Sequence, residues 1–317
     1  MNRGTAIVAI GGNALTAEGQ AGTADEIAAN AAQMAGSLAE LVRAGWQVAV
    51  VHGNGPQVGN LAMQQDAGEQ LVPMQPLHQL CAMTQGQLGS VLVRAIDREC
   101  GPGRAVCIVT HVGVDTKDPA FAHPTKPIGP FFSEEQAHTY AAELDWTVTE
   151  DAGRGWRRVV ASPRPASIIE VDAVRTLLAA GHVVLAAGGG GVAVEEGSLT
   201  GVDVVIDKDH ASAALATAAG ATELYLLTGV DCVLLDFGTP QQRPAHRLTP
   251  EEAAQHLADG QFPPGSMGPK VAAALRFLQD GGHRAIITSA SRLAAAVAGD
   301  PTAGTSIERS QAAARTA

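Results

Sequence analysis

Lysine is scarce in this chain, with four residues against seventeen arginines, and so are cysteine, with four residues, and aromatic side chains, at 3%. Cys81, Cys100, Cys107 and Cys232 form no CxxC pair and no zinc-binding spacing, which reads as buried thiols in a reducing compartment. No stretch reaches the roughly 18 consecutive apolar residues of a membrane span. The opening residues, MNRGTAIVAIGGNAL, contain no long apolar run ending in a small-residue cleavage site. The expectation is therefore a cytoplasmic protein, neither exported nor membrane-spanning. The net charge is −11 and no basic run is interleaved with aromatics, so no nucleic-acid partner is expected.

Several common catalytic signatures are missing as well. No lysine is followed by Ser or Thr, which excludes a Walker-type phosphate loop, and neither GxSxG nor HExxH occurs. The ten histidines show no ligand spacing, so no protein-held metal is expected. The turn Gly53-Asn54-Gly55 begins like a dinucleotide fingerprint. Its next glycine, Gly59, stands one position too far along, and no acidic residue ends a following strand.

What is present is a regular alternation of strands and helices. Of 317 residues, 46% are hydrophobic, enough for one large core. Apolar, β-rich runs recur as AIVAI (6–10), QVAVV (47–51), AVCIV (105–109), HVVLAA (182–187), ELYLLT (223–228) and RAIITS (284–289). Runs that are apolar throughout predict central strands covered on both faces. Between the first two lies a helical pattern over 23–44. Thr23 and Glu26 form a capping box, Ile27, Ala31, Met34, Leu38 and Leu41 repeat at helical spacing, and Gly45 ends it. The fold class predicted is α/β, an open, mainly parallel sheet sandwiched by helices. The stretch 113–162 interrupts this rhythm with Pro, Gly and charge and one helix opening at Ser133, so we expect a lid subdomain there, inserted within a single domain spanning 1–317. The alanine-rich tail after Gly299 carries no element signal and is expected to fray.

Three of the strands run into glycine turns: Gly11-Gly12-Asn13, Gly53-Asn54-Gly55 and Gly188 to Gly191. Glycines let the backbone approach a ligand and turn its N–H groups toward anionic oxygens, at the strand ends where open parallel sheets bind ligands. Three of the four lysines occupy unusual settings. Lys126 lies between prolines in PTKPIGP, Lys208 stands between Asp207 and Asp209 at a helix start, and Lys270 follows Gly268-Pro269, with Pro269 suited to the first helical position. A cation in a first helical turn opposes the helix dipole, a local cost that a bound anion reverses. Lys117, in VDTKDPAF, reads as an ordinary surface charge.

These segments resemble the amino-acid kinase fold and, within it, the carbamate kinases. The resemblance rests on GGNAL (11–15), HGNGPQVGN (52–60), DPAFAHPTKPIGPF (118–131), EDAGRGWRRVVASP (150–163), GGGG (188–191), GVDVVIDKD (201–209) and PGSMGPK (264–270). It implies reversible phosphoryl transfer between ATP and carbamate, giving ADP and carbamoyl phosphate, in a homodimer, with Mg²⁺ held mainly by the nucleotide phosphates. Carried onto this sequence, it implies that Lys208 and Lys270 neutralise the transferred group, Asp209 holds them, and Lys126 reaches in from the lid. Gly11, Gly12, Asn13, Gly53, Asn54, Gly55, Gly189 and Gly190 would receive the acid and phosphoryl group; Thr228, Val230, Asp231, Gly265, Met267 and Gly268 would receive the nucleotide. The sequence departs from the family's pattern at His78, Ser90, Ala193 and Ile27. Those departures keep open a kinase of the same fold with another small carboxylate or phosphate acceptor, and a nucleotide-binding regulator without turnover.

Overall fold

Side chains along the strand Thr5–Ile10 alternate strictly between two buried faces, and the architecture follows from that alternation. Ile7 and Ala9 enter one core, Ala6, Val8 and Ile10 the other, as a period of two requires of a strand covered on both sides. The computed structural model describes residues 3–17, 19–151, 153–263 and 265–309. Thr5–Ile10 lies inside an eight-stranded sheet whose order is Arg247–Leu248, Thr305–Glu308, Arg284–Ser289, Glu223–Thr228, Thr5–Ile10, Gln47–His52, Val183–Leu185 and Ala105–Cys107. All neighbouring pairs are parallel except Arg284–Ser289 with Thr305–Glu308.

Helices Val171–Ala179, Lys208–Ala219, Pro250–Ala258 and Met267–Gln279 cover one face. Ala24–Arg43, Leu77–Cys100 and Leu293–Ala298 cover the other. The first of these begins at the expected capping box: Thr23 Oγ1 accepts the Glu26 N–H, and Glu26 Oε2 accepts the Thr23 N–H at 2.8 Å. It buries Ile27, Ala31, Met34, Leu38 and Leu41. Among the described residues no helix is long and apolar enough to cross a membrane.

Three expectations need correction. The run 105–109 pairs only over Ala105–Cys107, because its single neighbour, Val183–Leu185, ends there, and Val109 is exposed. The run 182–187 is a strand only over Val183–Leu185, since Ala187 takes φ +49° and turns the chain into the glycine run. The tail does not fray directly after Gly299. Thr305–Glu308 joins the main sheet and buries Ile307, while residues 310–317 lie outside the described residues.

Within the 113–162 stretch, Lys126–Phe132, Trp156–Val160 and Thr147–Glu150 form a separate antiparallel sheet. The helix Glu134–Leu144 packs on it, opened by a Ser133/Gln136 capping box. Such a small unit has little volume to bury, and five of the chain's eleven aromatic residues fall between positions 126 and 160. Phe132, Tyr140 and Trp146 pack against one another in edge-on and tilted arrangements with ring centroids 5.2–6.1 Å apart. The subdomain meets the main body through glycine: a Cβ on Gly59, in the helix Gly55–Gly68, would lie 2.0 Å from the Gly129 backbone nitrogen. The glycine that fails the dinucleotide spacing is thus the one that lets two backbones touch. Gly59→Ala is expected to destabilise the protein by about 1–3 kcal/mol. Limited proteolysis should show cleavage within 126–160 before the main body opens; unchanged cleavage would refute this contact's role.

Candidate active site

The strand order reverses at Thr5–Ile10, which has Gln47–His52 on one side and Glu223–Thr228 on the other. At such a switch point the loops leaving the strand ends diverge and open a crevice. The crevice here is a cleft of about 990 Å³, walled by Gly11, Gly53, Asn54, Gly55, Gly189, Thr228 and Gly265 and floored by Lys208 and Lys270, with Lys126 entering from the subdomain. That volume suits a nucleotide-sized ligand.

The floor is built from the first turns of two helices. Asp207 caps Lys208–Ala219 by accepting the Asp209 N–H at 2.8 Å, which fixes the start of the helix and the side chains on it. Asp209, 2% exposed, then accepts from Lys208 Nζ through Oδ1 at 3.0 Å and from Lys270 Nζ through Oδ2 at 3.1 Å. Lys270 stands in Met267–Gln279, whose helix starts at Met267. Pro269 is therefore its third residue rather than its first, which is tolerated because the first-turn N–H groups have no helical acceptor. Lys126 Nζ donates to Asp207 Oδ2 at 2.5 Å, so three ammonium groups share two carboxylates.

These groups shape each other's ionisation. Burial favours the neutral form of Asp209, but Lys208 and Lys270 outweigh it and hold the carboxyl below the usual carboxylate range. Asp207 behaves alike: burial opposes its charge, while Lys126 and Lys208 press the carboxyl well down. Burial also opposes the charge on Lys208, yet Asp209 and Asp207 raise its pKa above the ordinary lysine value. Burial and then the neighbouring Lys208 lower that of Lys270. Of the two floor lysines, Lys270 holds its proton less tightly.

The glycine walls have steric causes. A Cβ on Gly189, at φ +66°, would lie 2.3 Å from Asn54 Nδ2, so the turn can sit on Asn54 only as glycine. Asn54 is itself fixed by donating to Thr84 Oγ1 at 2.9 Å. Beneath it, fully buried His52 donates from Nδ1 to Gly53 O, and burial pushes its pKa down to about 4, so it is neutral near pH 7.

Not every anticipated residue reaches the cleft. Gly190 packs behind the wall on the Ile206 carbonyl. Val230, Asp231, Met267 and Gly268 stand one or more residues beyond the lining at Thr228, Gly229, Gly265 and Ser266. Asp231 instead accepts from Ser289 Oγ at 2.6 Å. The surroundings of Gly12 and of the Asn13 side chain lie outside the described part of the structure. The cleft residues that were missed include Asp151, Arg154, Arg157 and Phe131, where both arginines pair with Asp151 and stack over the Phe131 ring. The arginines of EDAGRGWRR beside a charged loop were the available signal. The four departures do not line the cleft. His78 pairs with Asp203 at 2.7 Å, Ser90 is exposed on Leu77–Cys100, and Ala193 and Ile27 are core residues.

The amino acid kinase family model matches residues 4–289. The chain belongs to the amino acid kinase family. Within that family it is 44% identical over 301 residues to the carbamate kinase of Pyrococcus horikoshii, covering 92% of this chain and 96% of the relative. It is 42% identical over 303 residues to the carbamate kinase-like protein YahI of Escherichia coli, covering 93% and 96%. The solved carbamate kinase of Giardia lamblia bound to AMP-PNP superposes with a TM-score of 0.87 at 37% identity, covering 97% of this chain and 99% of that one. An N-acetylglutamate synthase of Neisseria gonorrhoeae, 16% identical with a TM-score of 0.62 and matched over 62% of its length, shares the fold.

Asp209→Asn leaves two buried ammonium groups without their shared counter-charge, and the expected loss is about 3–5 kcal/mol in thermal or urea unfolding. The acid limb provides a second readout. A carboxyl whose folded pKa is depressed contributes stability above its unfolded pKa, near 4, and loses it as pH falls toward the folded value. The wild type should therefore lose stability steeply below about pH 4, and Asp209→Asn should flatten that limb; parallel acid limbs would contradict the ionisation assigned to Asp209.

Proposed function

We propose that this chain is a carbamate kinase, transferring a phosphoryl group reversibly between ATP and carbamate to give ADP and carbamoyl phosphate. The observation that carries the reading is the pair of lysines on two helix N-termini, bridged by one buried carboxylate beneath glycine turns. Identity of 44% to carbamate kinases across nearly the whole length supports it.

The chemistry follows from charge placement. Carbamate is an anion near neutral pH, so its oxygen can attack the γ-phosphorus without a general base. As the bond to the ADP oxygen breaks, charge spreads over the transferred group and onto the leaving oxygen. Lys208 and Lys270, fixed by Asp209, are the cations that meet this charge without having to reorganise. Lys126 supplies a third from above, with the subdomain 126–160 acting as a lid that excludes water. Gly11, Gly53, Gly55 and Gly189 present backbone to the acid and the phosphoryl group, Asn54 adds its side chain, and Thr228 and Gly265 border the nucleotide.

Among the described residues no group of three or more His, Cys, Asp or Glu side chains could hold a metal ion, and both floor carboxylates are engaged by lysines. Mg²⁺ would enter on the nucleotide phosphates, where it would supply positive charge to the transferred group. A homodimer in the cytoplasm completes the reading. The readings with another acceptor or without turnover gain no support from His78, Ser90, Ala193 or Ile27.

The deciding assay is ATP formation from ADP, Mg²⁺ and carbamoyl phosphate. Wild type should turn over and Lys270→Ala should lose about 10²-fold or more in kcat; a folded, nucleotide-binding wild type that makes no ATP would reject the proposal. Lys126→Ala should lower kcat far more than it raises the KM for ADP, and equal effects on both would remove its role in transfer. Sedimentation at micromolar concentration should give twice the 32.4 kDa chain mass, and a monomer would count against the dimer.

A further inference from the structure

The helix-capping carboxylate of Asp207 makes a second contact that capping does not require. One oxygen, Oδ1, accepts the Asp209 N–H at 2.8 Å; the other, Oδ2, accepts from Lys126 Nζ at 2.5 Å. Ser, Thr or Asn would cap the helix equally well and without charge. Only a carboxylate can do so while also forming an ion pair with a lysine 81 residues away, on the separate sheet of the protruding subdomain. Both side chains are largely withdrawn from solvent, 24% exposed for Lys126 and 14% for Asp207, so the pair is not a screened surface contact of negligible effect.

On the carbamate kinase reading, on which this inference rests, we propose that Asp207 is a positioning residue for phosphoryl transfer. It ties the lysine of the subdomain to the first turn of the helix that carries Lys208 and Asp209. The path is continuous: Lys126 to Asp207, Asp207 through the backbone N–H to Asp209, and Asp209 through its two oxygens to Lys208 and Lys270. Closure of the subdomain and the aim of the floor lysines are thereby fixed by one group. The charge count also fits an anionic guest, since three ammonium groups against two carboxylates leave one positive charge to be met by the ligand.

The other contacts between the subdomain and the main body, which include apolar packing of Ile128 with Val58, Ala62 and Leu80 and an electrostatic interaction of Arg158 with Asp66, do not engage the Lys126 ammonium. Gly59 against Gly129 and Gly55 against the Pro127 carbonyl are backbone contacts; they set how close the subdomain comes, but carry no charge to hold the Lys126 ammonium over the cleft.

The test compares wild type, Asp207→Asn, Lys126→Met and the double variant in the carbamoyl phosphate assay, with amide exchange followed over 126–160. Asn retains the cap and removes the ion pair. Asp207→Asn is expected to lower kcat about 10- to 100-fold, the scale of a misplaced catalytic group, with the KM for ADP within about threefold. The double variant should be no slower than the slower single variant within about threefold, because both changes remove the same link. Exchange in 126–160 should rise. Wild-type kcat in Asp207→Asn, or losses that multiply in the double variant, would overturn the proposal and reduce Asp207 to a cap. Should Asp207→Asn not fold, Asp207→Ser, also a neutral cap, is judged by the same criteria. An inactive wild type would sink the carbamate kinase reading; an active one with multiplying losses would sink only this inference.

Discussion

Two ammonium groups held over one phosphate-sized space repel each other, and the structure depends on the buried carboxylate that makes their approach possible. Asp209 gives one oxygen to Lys208 and the other to Lys270. Withdrawing three charges from water is costly, and geometry with complete pairing is what offsets that cost. Both lysines also stand where helix dipoles disfavour cations. The arrangement is poorly suited to stabilising the empty protein and well suited to receiving an anion. The eight-stranded sheet serves it by placing the two helix starts at the same end of the strands as the glycine turns, around one cleft.

The protruding subdomain answers a different constraint. A cleft open at the top leaves a phosphoryl group within reach of water, so a cover must come close without filling the site. Backbone contact at Gly59 and Gly129 sets the distance, and the Lys126–Asp207 pair sets the lateral position. The aromatic cluster of Phe132, Tyr140 and Trp146 keeps this small sheet and its helix together. The main body adds apolar packing of Ile128 with Val58, Ala62 and Leu80 to the glycine approach and the ion pair.

Much of this was legible along the chain because the signals are local. Strands such as Glu223–Thr228 and Arg284–Ser289 matched their apolar runs residue for residue, since a strand buried on both faces leaves no polar interruption. The capping boxes at Thr23 and Ser133 mark helix starts through side chains three residues apart. Two of the three errors came where a partner strand decides the outcome. Val109 leaves the sheet because Val183–Leu185 has already ended, and Thr305–Glu308 is a strand only because Arg284–Ser289 offers it an edge.

The sequence by itself determined the fold class, the glycine turns at the strand ends and the three lysines in unusual settings, because each depends on residues within a few positions of one another. Only the tertiary structure decided that Asp207 reaches Lys126, and that Arg154, Arg157 and Phe131 border the same cleft. It also decided that His78 and Ser90 do not line it. Those relations join segments separated by tens to hundreds of residues, and their geometry is fixed by sheet order and helix docking, which no local pattern encodes.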